Sequence, residues 1–390
     1  MSLDYYKTSC LVCGNDGMGL HFGVETCRAC AAFFRRSAFR KEDYTCRNQY
    51  SEGELCNESR ILNCKHCRLL KCQKVGMTMK KKTKNASKQV IKRPETVERE
   101  EIISYCVWDP ANQKPVKWID IQPILRRSQG ILEHYYLPLS LAALNPLERM
   151  TQCLTKLRSA QSKTPQITNF MIFDDYFTLW EEHMTRAAEF MMHSEEFRSL
   201  PIHEKLEFFK IIWAVWRRVE RNSMSAEIYG QRCLDEKILL ISDDTATRLG
   251  DFKMDVSEIC QQGFEDYNRI MRKNLLQYFE AVSKPCLEWK FDETEITFII
   301  CQIVWNYAGR KLNGQSQTAA DTFLEKISNN LHEFYTENWK ISNYAGRLAV
   351  IMDVVNGVLK IQAEHEKVME MAFLFDMFSI KISDPTFFCV

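Results

Sequence analysis

The sequence predicts a two-domain chain: a small helical module organised by cysteines at the front, and a larger all-α domain behind it that carries one small β-hairpin. Three observations carry that prediction. Eight cysteines before residue 68 fall into two groups of four, with three Cys-x-x-Cys pairs among them. Charge is divided, because residues 1–94 hold 19 Lys+Arg against 8 Asp+Glu and the remainder 33 against 43, so the net charge of +1 hides a basic front and an acidic back. From about residue 128 onward, apolar residues recur at helical spacing with few Gly or Pro to interrupt them.

The cysteines read Cys10-x2-Cys13-x13-Cys27-x2-Cys30, then fifteen residues, then Cys46-x9-Cys56-x7-Cys64-x2-Cys67. A Cys-x-x-Cys turn brings two thiolates to one tetrahedral ion and a second pair completes the shell, so the spacing predicts two zinc ions, each held by four cysteines. So short a segment buries little apolar surface, and the metal must supply folding free energy. A disulfide framework would need an oxidising compartment, whereas Met1–Cys10 lacks the apolar core of an export signal. A redox pair would need a βαβ setting. Seven further cysteines are scattered beyond Cys72, as expected for buried thiols in a reducing compartment, and the chain is expected to be intracellular. The nearest approach to a membrane span, Ile296–Ala308, is broken by Gln302 and Asn306, so no membrane partner is expected.

Gly14–Thr26 reads as turns and short extended pieces. Arg28–Lys41 is alanine-rich, free of Gly and Pro, and interleaves Phe33, Phe34 and Phe39 with basic residues, which predicts an amphipathic helix tied to the first metal through Cys27 and Cys30. Its outer face offers Arg28, Arg35, Arg36 and Arg40, and a helix of that width fits the major groove of double-stranded DNA. Cys64–Met77 repeats the logic: Leu69, Leu70 and Cys72 face inward, Arg68, Lys71 and Lys74 outward, and Gly76 ends the helix. Cys72 is read as a small buried hydrophobe and His66 as an exposed bystander.

These residues resemble the DNA-binding domain of a nuclear hormone receptor. The first-site spacing, the fifteen-residue gap, Phe33-Phe34-Arg35-Arg36 and Cys67-Arg-x-x-Lys-Cys72-x-x-x-Gly76-Met77 all match, over roughly residues 10–77. The Arg28-Ala-Cys30-Ala-Ala form is similar to the enlarged nematode group. The resemblance implies that the helix after Cys30 reads bases, with Arg28 the candidate reader and Arg35, Arg36, Arg68 and Lys71 at phosphates. It also sets out departures. The second site usually has gaps of five, nine and two rather than nine, seven and two, and a base-reading lysine is replaced by Ala31, so the usual half-site is not expected.

The module is assigned to residues 7–79. Residues 80–127 are read as a basic linker, whose Lys80-Lys81-Lys82-x-Lys84 suits phosphate contact and nuclear import, so the nucleus is the expected location. Residues 128–390 are the helical domain. Phe177, Trp180, Met184, Ala187, Ala188 and Met191 form one stripe, and Leu206, Phe209, Trp213, Trp216 and Val219 another after Pro201. Ile238–Leu249 fits a small hairpin, and further helices are expected near 254–283, 294–312, 317–337 and 343–378.

Phe197-x2-Leu200-x3-Glu204-Lys205-Leu206-x-Phe208-Phe209-Lys210-x2-Trp213 resembles the signature of receptor ligand-binding domains. It implies a three-layer helical sandwich, a small apolar ligand lined by Met184, Ala188, Met191 and Trp216, and a groove for transcriptional co-regulators in which Lys210 keeps one basic position while Met192 replaces the other. The tail Ile380–Val390, with Asp384-Pro385, does not suit a stable activation helix. The expectation is therefore a zinc-dependent transcription factor rather than an enzyme, acting as a homo- or heterodimer or alone, with constitutive or repressive action as consistent as ligand gating. The alternative is a zinc-module interaction adaptor that does not read DNA sequence.

Overall fold

The computed structural model describes residues 10–15, 20–22, 24–38, 44–46, 63–75, 77, 103–109, 114–255, 272–374 and 380–384. The chain divides into two compact units, Met1–Glu98 and Arg99–Val390.

In the first unit, β1 (Leu20–His21) and β2 (Val24–Glu25) pair antiparallel, followed by α1 (Arg28–Ala38) and α2 (Lys65–Lys74). The two helices pack together over a small core of Val12, Val24, Phe33, Phe34, Cys72 and Met77. Cys72 is fully buried and burial pushes its thiol up to about 12, so it stays neutral as a small hydrophobe, as expected.

The second unit opens earlier than the sequence reading placed it. β3 (Ile103–Asp109) and β4 (Lys114–Asp120) form an antiparallel hairpin, and α3 (Gln122–His134) follows directly. Residues 103–109 and 114–127 are therefore folded and not linker. The cause is visible in composition: the register sets Tyr105 opposite Trp118 and Val107 opposite Val116, and both strands are rich in β-branched and aromatic residues, which favour extended pairing despite the neighbouring charges.

The helical body follows. A short α4 (Leu139–Ala142) leads to α5 (Pro146–Arg158), which starts with a capping box in which Asn145 and Glu148 satisfy each other's amides and Pro146 sits in the first turn. Next come β5 (Gln166–Ile167), β6 (Phe170–Ile172), α6 (Phe173–Met191), α7 (Glu195–Arg198) and α8 (Ile202–Tyr229). Pro201 precedes α8 and Gly230, at φ +56°, ends it in a conformation that a side chain would resist. After α9 (Gln231–Asp235), β7 (Ile238–Leu240) and β8 (Thr245–Arg248) form the expected hairpin, to which β5 adds in parallel. The helix expected from 254 does not begin there, since β9 (Lys253–Asp255) pairs in parallel with β6.

A helical stretch from Arg272, with a π turn at Phe279–Ser283, runs into α10 (Lys284–Trp289). α11 (Glu293–Gly309), α12 (Gln315–Glu333) and α13 (Ala345–Leu374) complete the sandwich, and β10 (Ile380–Ile382) adds in parallel to β4. α11 packs against α5, α8, α12 and α13, so it is apolar on nearly every side. α8 is the other central element, bearing on α6 and α11.

A buried ionic network ties these layers. Glu220 on α8, 2% exposed, accepts from Arg158 on α5 at 3.1 Å and from its neighbour Arg221 at 2.5 Å. Arg221 reaches Gln161 at 3.1 Å, and Asp243 in the β7–β8 turn pairs with Arg186 on α6. Burial alone would raise the Glu220 carboxyl, yet Arg221 and Arg158 hold it below its ordinary range. Its folded pKa is thus lower than its unfolded one, so the network's contribution is present above the usual carboxylate range and is lost as pH falls through the lower folded value. Glu220→Gln leaves buried arginine charge uncompensated and should cost about 3–5 kcal/mol at neutral pH. Urea melts of the full chain followed across the acid range should show that loss, together with a flatter acid limb than wild type.

Candidate zinc and DNA-binding site

The Sγ atoms of Cys10, Cys13, Cys27 and Cys30 lie within 4.8 Å of one another, as do those of Cys46, Cys64 and Cys67. Cys13 to Cys27 is 3.6 Å, and Cys46 lies 3.7 Å from both Cys64 and Cys67. Sulfurs bound at about 2.3 Å to one tetrahedral zinc stand about 3.8 Å apart, whereas a disulfide would bring them to about 2.0 Å. The donor set therefore fits zinc. Cys56, expected as the eighth ligand, lies outside the described residues, as do Phe39 and Arg40.

Local backbone explains the convergence. The amide of Gly14 donates to the Cys10 carbonyl at 2.8 Å, and Gly14, at φ +73°, turns the chain back after Cys13. The amides of Cys30 and Ala31 both donate to the Cys27 carbonyl at 3.0 Å, so the first turn of α1 is itself the Cys-x-x-Cys turn. Although burial would raise the Cys10 thiol, amides of Cys27, Cys13 and Val12 aimed at its sulfur hold it down to about 7. Burial pushes the Cys30 thiol up, and Arg68 offsets this only in part. Four such sulfurs converge stably as thiolates only around a cation, which zinc supplies when bound.

Arg68 was expected at a phosphate. Instead its guanidinium stacks 4.8 Å from the centre of the Phe33 ring and donates Nη2 to Cys30 Sγ at 3.2 Å. It links α2 to a ligand of the first site, and the long reach of arginine over an aromatic ring is why spacing alone read it as a surface charge. His66 is half-buried rather than exposed, because its Nδ1 bonds the Tyr44 carbonyl; it is outside the sulfur cluster. Tyr44 in turn stacks on Phe33 at 6.0 Å, so the two metal groups share one aromatic support. Neither Arg68 nor Tyr44 as a supporting residue could be read from the cysteine pattern.

On α1 the burial pattern separates two faces. Cys30, Ala31, Phe33, Phe34 and Ser37 are buried, while Arg28, Ala29, Arg35 and Arg36 are exposed. Arg28 falls seven and eight residues before Arg35 and Arg36, so the three arginines share one stripe with small alanines between them. Lys71 sits half-buried in the last turn of α2.

In the second unit, Met184, Ala188, Met191 and Trp216 are all buried at 0–1% exposure. They lie in a packed aromatic region in which Phe190 meets Trp216 at 5.7 Å and Trp180 meets Trp213 at 5.0 Å. Two hollows, of about 360 and 540 Å³, open elsewhere, beside Arg149 and Lys326 and beside Leu200 and Gly314, and involve none of the four. Lys210 on α8 pairs with Glu207 at 3.2 Å and with Asp384 of the tail at 3.6 Å. Among the described residues, no helix is long and apolar enough to cross a membrane.

Paired four-cysteine-type groups under an arginine-bearing helix, joined to a layered helical domain, define a zinc-finger regulator of the receptor type. Residues 8–79 match the family model for a double treble clef zinc finger of C4 type, and residues 161–375 match the ligand-binding domain of nuclear hormone receptor. Nuclear hormone receptor family member nhr-54 of Caenorhabditis elegans is 43% identical, over 100% of this chain and 98% of its own length. Family members nhr-213 and nhr-103 of the same organism are 30% and 29% identical, covering 94% and 97% of this chain and 91% and 97% of their own lengths. A solved structure, the Ultraspiracle ligand binding domain from Drosophila melanogaster, is similar at 11% identity and a TM-score of 0.42, over 62% of this chain and 94% of that one. The chain belongs to the nuclear hormone receptor family. It is a transcription factor with a C4 zinc DNA-binding domain, two zinc ions and a ligand-binding domain.

Because the thiolates need the metal to converge, a strong chelator should unfold the first unit of the full chain and leave the helices of the second intact, read as loss of amide protection confined to residues 10–77. Arg68→Ala should weaken zinc binding about 10–100-fold in a competition titration, whereas Arg35→Ala should leave it unchanged.

Proposed function

We propose that this receptor binds double-stranded DNA selectively through the outward stripe of α1 and acts in the nucleus, with Lys80–Lys84 as its import signal. In this reading Arg28 reads base edges, Arg35, Arg36 and Lys71 hold phosphates, and Arg68 serves the metal site. Cys56 completes the second zinc shell. The observation that carries the reading is the division of α1, whose phenylalanines are buried while Arg28, Arg35 and Arg36 are presented on one exposed side of a helix fixed at its start by two zinc ligands. Arginine can donate two hydrogen bonds to a guanine edge, and Ala29 beside it lets the backbone come close.

The helical domain controls what that binding does. Regulation by a co-regulator helix on the face of α6 and α8 around Lys210 is better supported than gating by an internal apolar ligand. A ligand among Met184, Ala188, Met191 and Trp216 would have to displace rings already packed against one another, whereas Lys210 is half-buried and pairs with Asp384 of the tail.

Selection of DNA sites from a random pool by the purified chain tests the reading. Arg28→Ala should relax preference at one base position, costing about 1–3 kcal/mol of discrimination there. Lys71→Ala should weaken all sites alike and reduce the salt slope by about one unit. Salt-sensitive binding with no sequence preference in the wild-type chain would instead support the adaptor role.

A further inference from the structure

The face formed by α6 and α8 already holds a helix of this chain. α3 packs against both. Ile121, Ile124, Ser128 and Leu132 are buried there, and Leu125, Ile131 and Tyr135 pack beside them. This is the apolar stripe that a groove-bound helix presents. Groups outside α3 hold both its ends. At its carboxyl end Lys205 of α8 donates Nζ to the Leu132 carbonyl at 3.3 Å, and the Tyr135 hydroxyl bonds His193 Nε2 at 3.0 Å. At its amino end the Ile121 amide donates to Ser383 Oγ at 3.0 Å and the Gln122 amide to Asp120 Oδ1 at 3.0 Å. Midway, Arg127 pairs with Glu181 of α6 at 2.8 Å.

Ser383 is delivered by β10, whose Ile380, Lys381 and Ile382 pair with Lys117, Trp118 and Ile119 of β4. The next residue, Asp384, is the one that pairs with Lys210. Two lysines of α8 therefore bracket α3, Lys205 directly at its carbonyl end and Lys210 through the tail at its amide end. A cation at the first end and a carboxylate at the second both suit the helix dipole. Neither α3 nor β10 lies within residues 161–375, the part that matches the ligand-binding family model. The helix and the strand come from opposite ends of the second unit and meet on one face.

We propose that α3 is an exchangeable occupant of the α6–α8 face, that residues 380–384 are its latch, and that release lets a partner's amphipathic helix take the same seat. The inference rests on the reading of the Lys210 face given above. α3 fits imperfectly. Ser128 is buried at the centre of its stripe with a hydroxyl that finds no hydrogen-bond partner, so an intruding helix with an aliphatic residue there would make the better contact. The chain leaving α3 is open to solvent, with Tyr136 76% and Leu139 80% exposed. Against the better-fitting intruder, α3 has its tether, which keeps it at an effective concentration of order millimolar. The latch decides between them.

Hydrogen exchange on the full chain tests this, with the double variant Ser383→Ala, Asp384→Lys as the opened form. Amides of 122–134 should exchange at least tenfold faster than in wild type, while those of α11 stay unchanged. A labelled peptide copying residues 121–136 with Ser128→Ala should bind the double variant at least tenfold more tightly than wild type. Ser128→Ala in the full chain, which removes the unpartnered hydroxyl, should act in the opposite sense on both readouts. Unchanged protection of 122–134 in the double variant overturns the latch. Faster exchange with no gain in peptide binding overturns the docking role, and with it the reading of the Lys210 face.

Discussion

Four buried sulfurs around one point cannot all carry charge unless a cation sits among them, and the rest of the first unit follows from that constraint. The Cys27–Cys30 turn that closes the first site is also the opening turn of α1, so the direction of the helix is set by the metal and not by a hydrophobic core. The core that exists is thin and largely aromatic. Phe34 meets Phe22 at 5.2 Å edge to face, and Phe33 is sandwiched between Tyr44 and the Arg68 guanidinium. Phe34 thus braces the first metal group internally, while Phe33 braces it against elements of the second. A helix held this way can present arginines outward without needing them for its own stability.

The second unit solves the opposite problem, having ample apolar surface and needing a single arrangement of it. α11 is buried on nearly all sides, and such a helix gains about as much from one rotation about its axis as from another. Polar groups fix the choice. The capping box of Asp292 and Glu295 sets its start, while Glu295, fully buried, is held by Tyr335 and by Arg347 of α13. The Glu220 network does the same for α5, α6 and α8, since its charges can be satisfied in one packing and are stranded in any other.

The cysteine groups, the helix after Cys30, the two apolar stripes and the 238–249 hairpin were legible because each rests on a local rule: ligand spacing, helical period or turn chemistry. Met184, Ala188, Met191 and Trp216 were rightly seen to face inward, but a stripe does not say whether the interior it faces is filled. Arg68 and His66 sit differently from what their spacing suggests, for a common reason. Both look solvent-facing in sequence, and both are drawn in by a group more than twenty residues away, Cys30 for one and Tyr44 for the other. The hairpin at 103–120 was hidden by a charge-based reading that ran past the lysine-rich stretch. Its strands satisfy the same β-branched and aromatic rule that revealed the 238–249 hairpin.

The third strand of that sheet could not have been foreseen from any window of sequence. Ile380–Ile382 is too short to be called a strand alone, and its partner lies more than 260 residues earlier. Its parallel pairing is weak in itself, since three residues supply few ladder bonds, and it depends on Ile119 and Ile382 reaching the main core. The polar contacts that follow are then set by register. Because Ile382 sits opposite Ile119, Ser383 falls beside the Ile121 amide that leads into α3 and Asp384 beside Lys210; a slip of one residue would turn Ile382 outward and remove both. A short strand whose register carries two contacts to the α6–α8 face can be undone at small cost, and undoing it alters the support of α3 without touching the layers beneath.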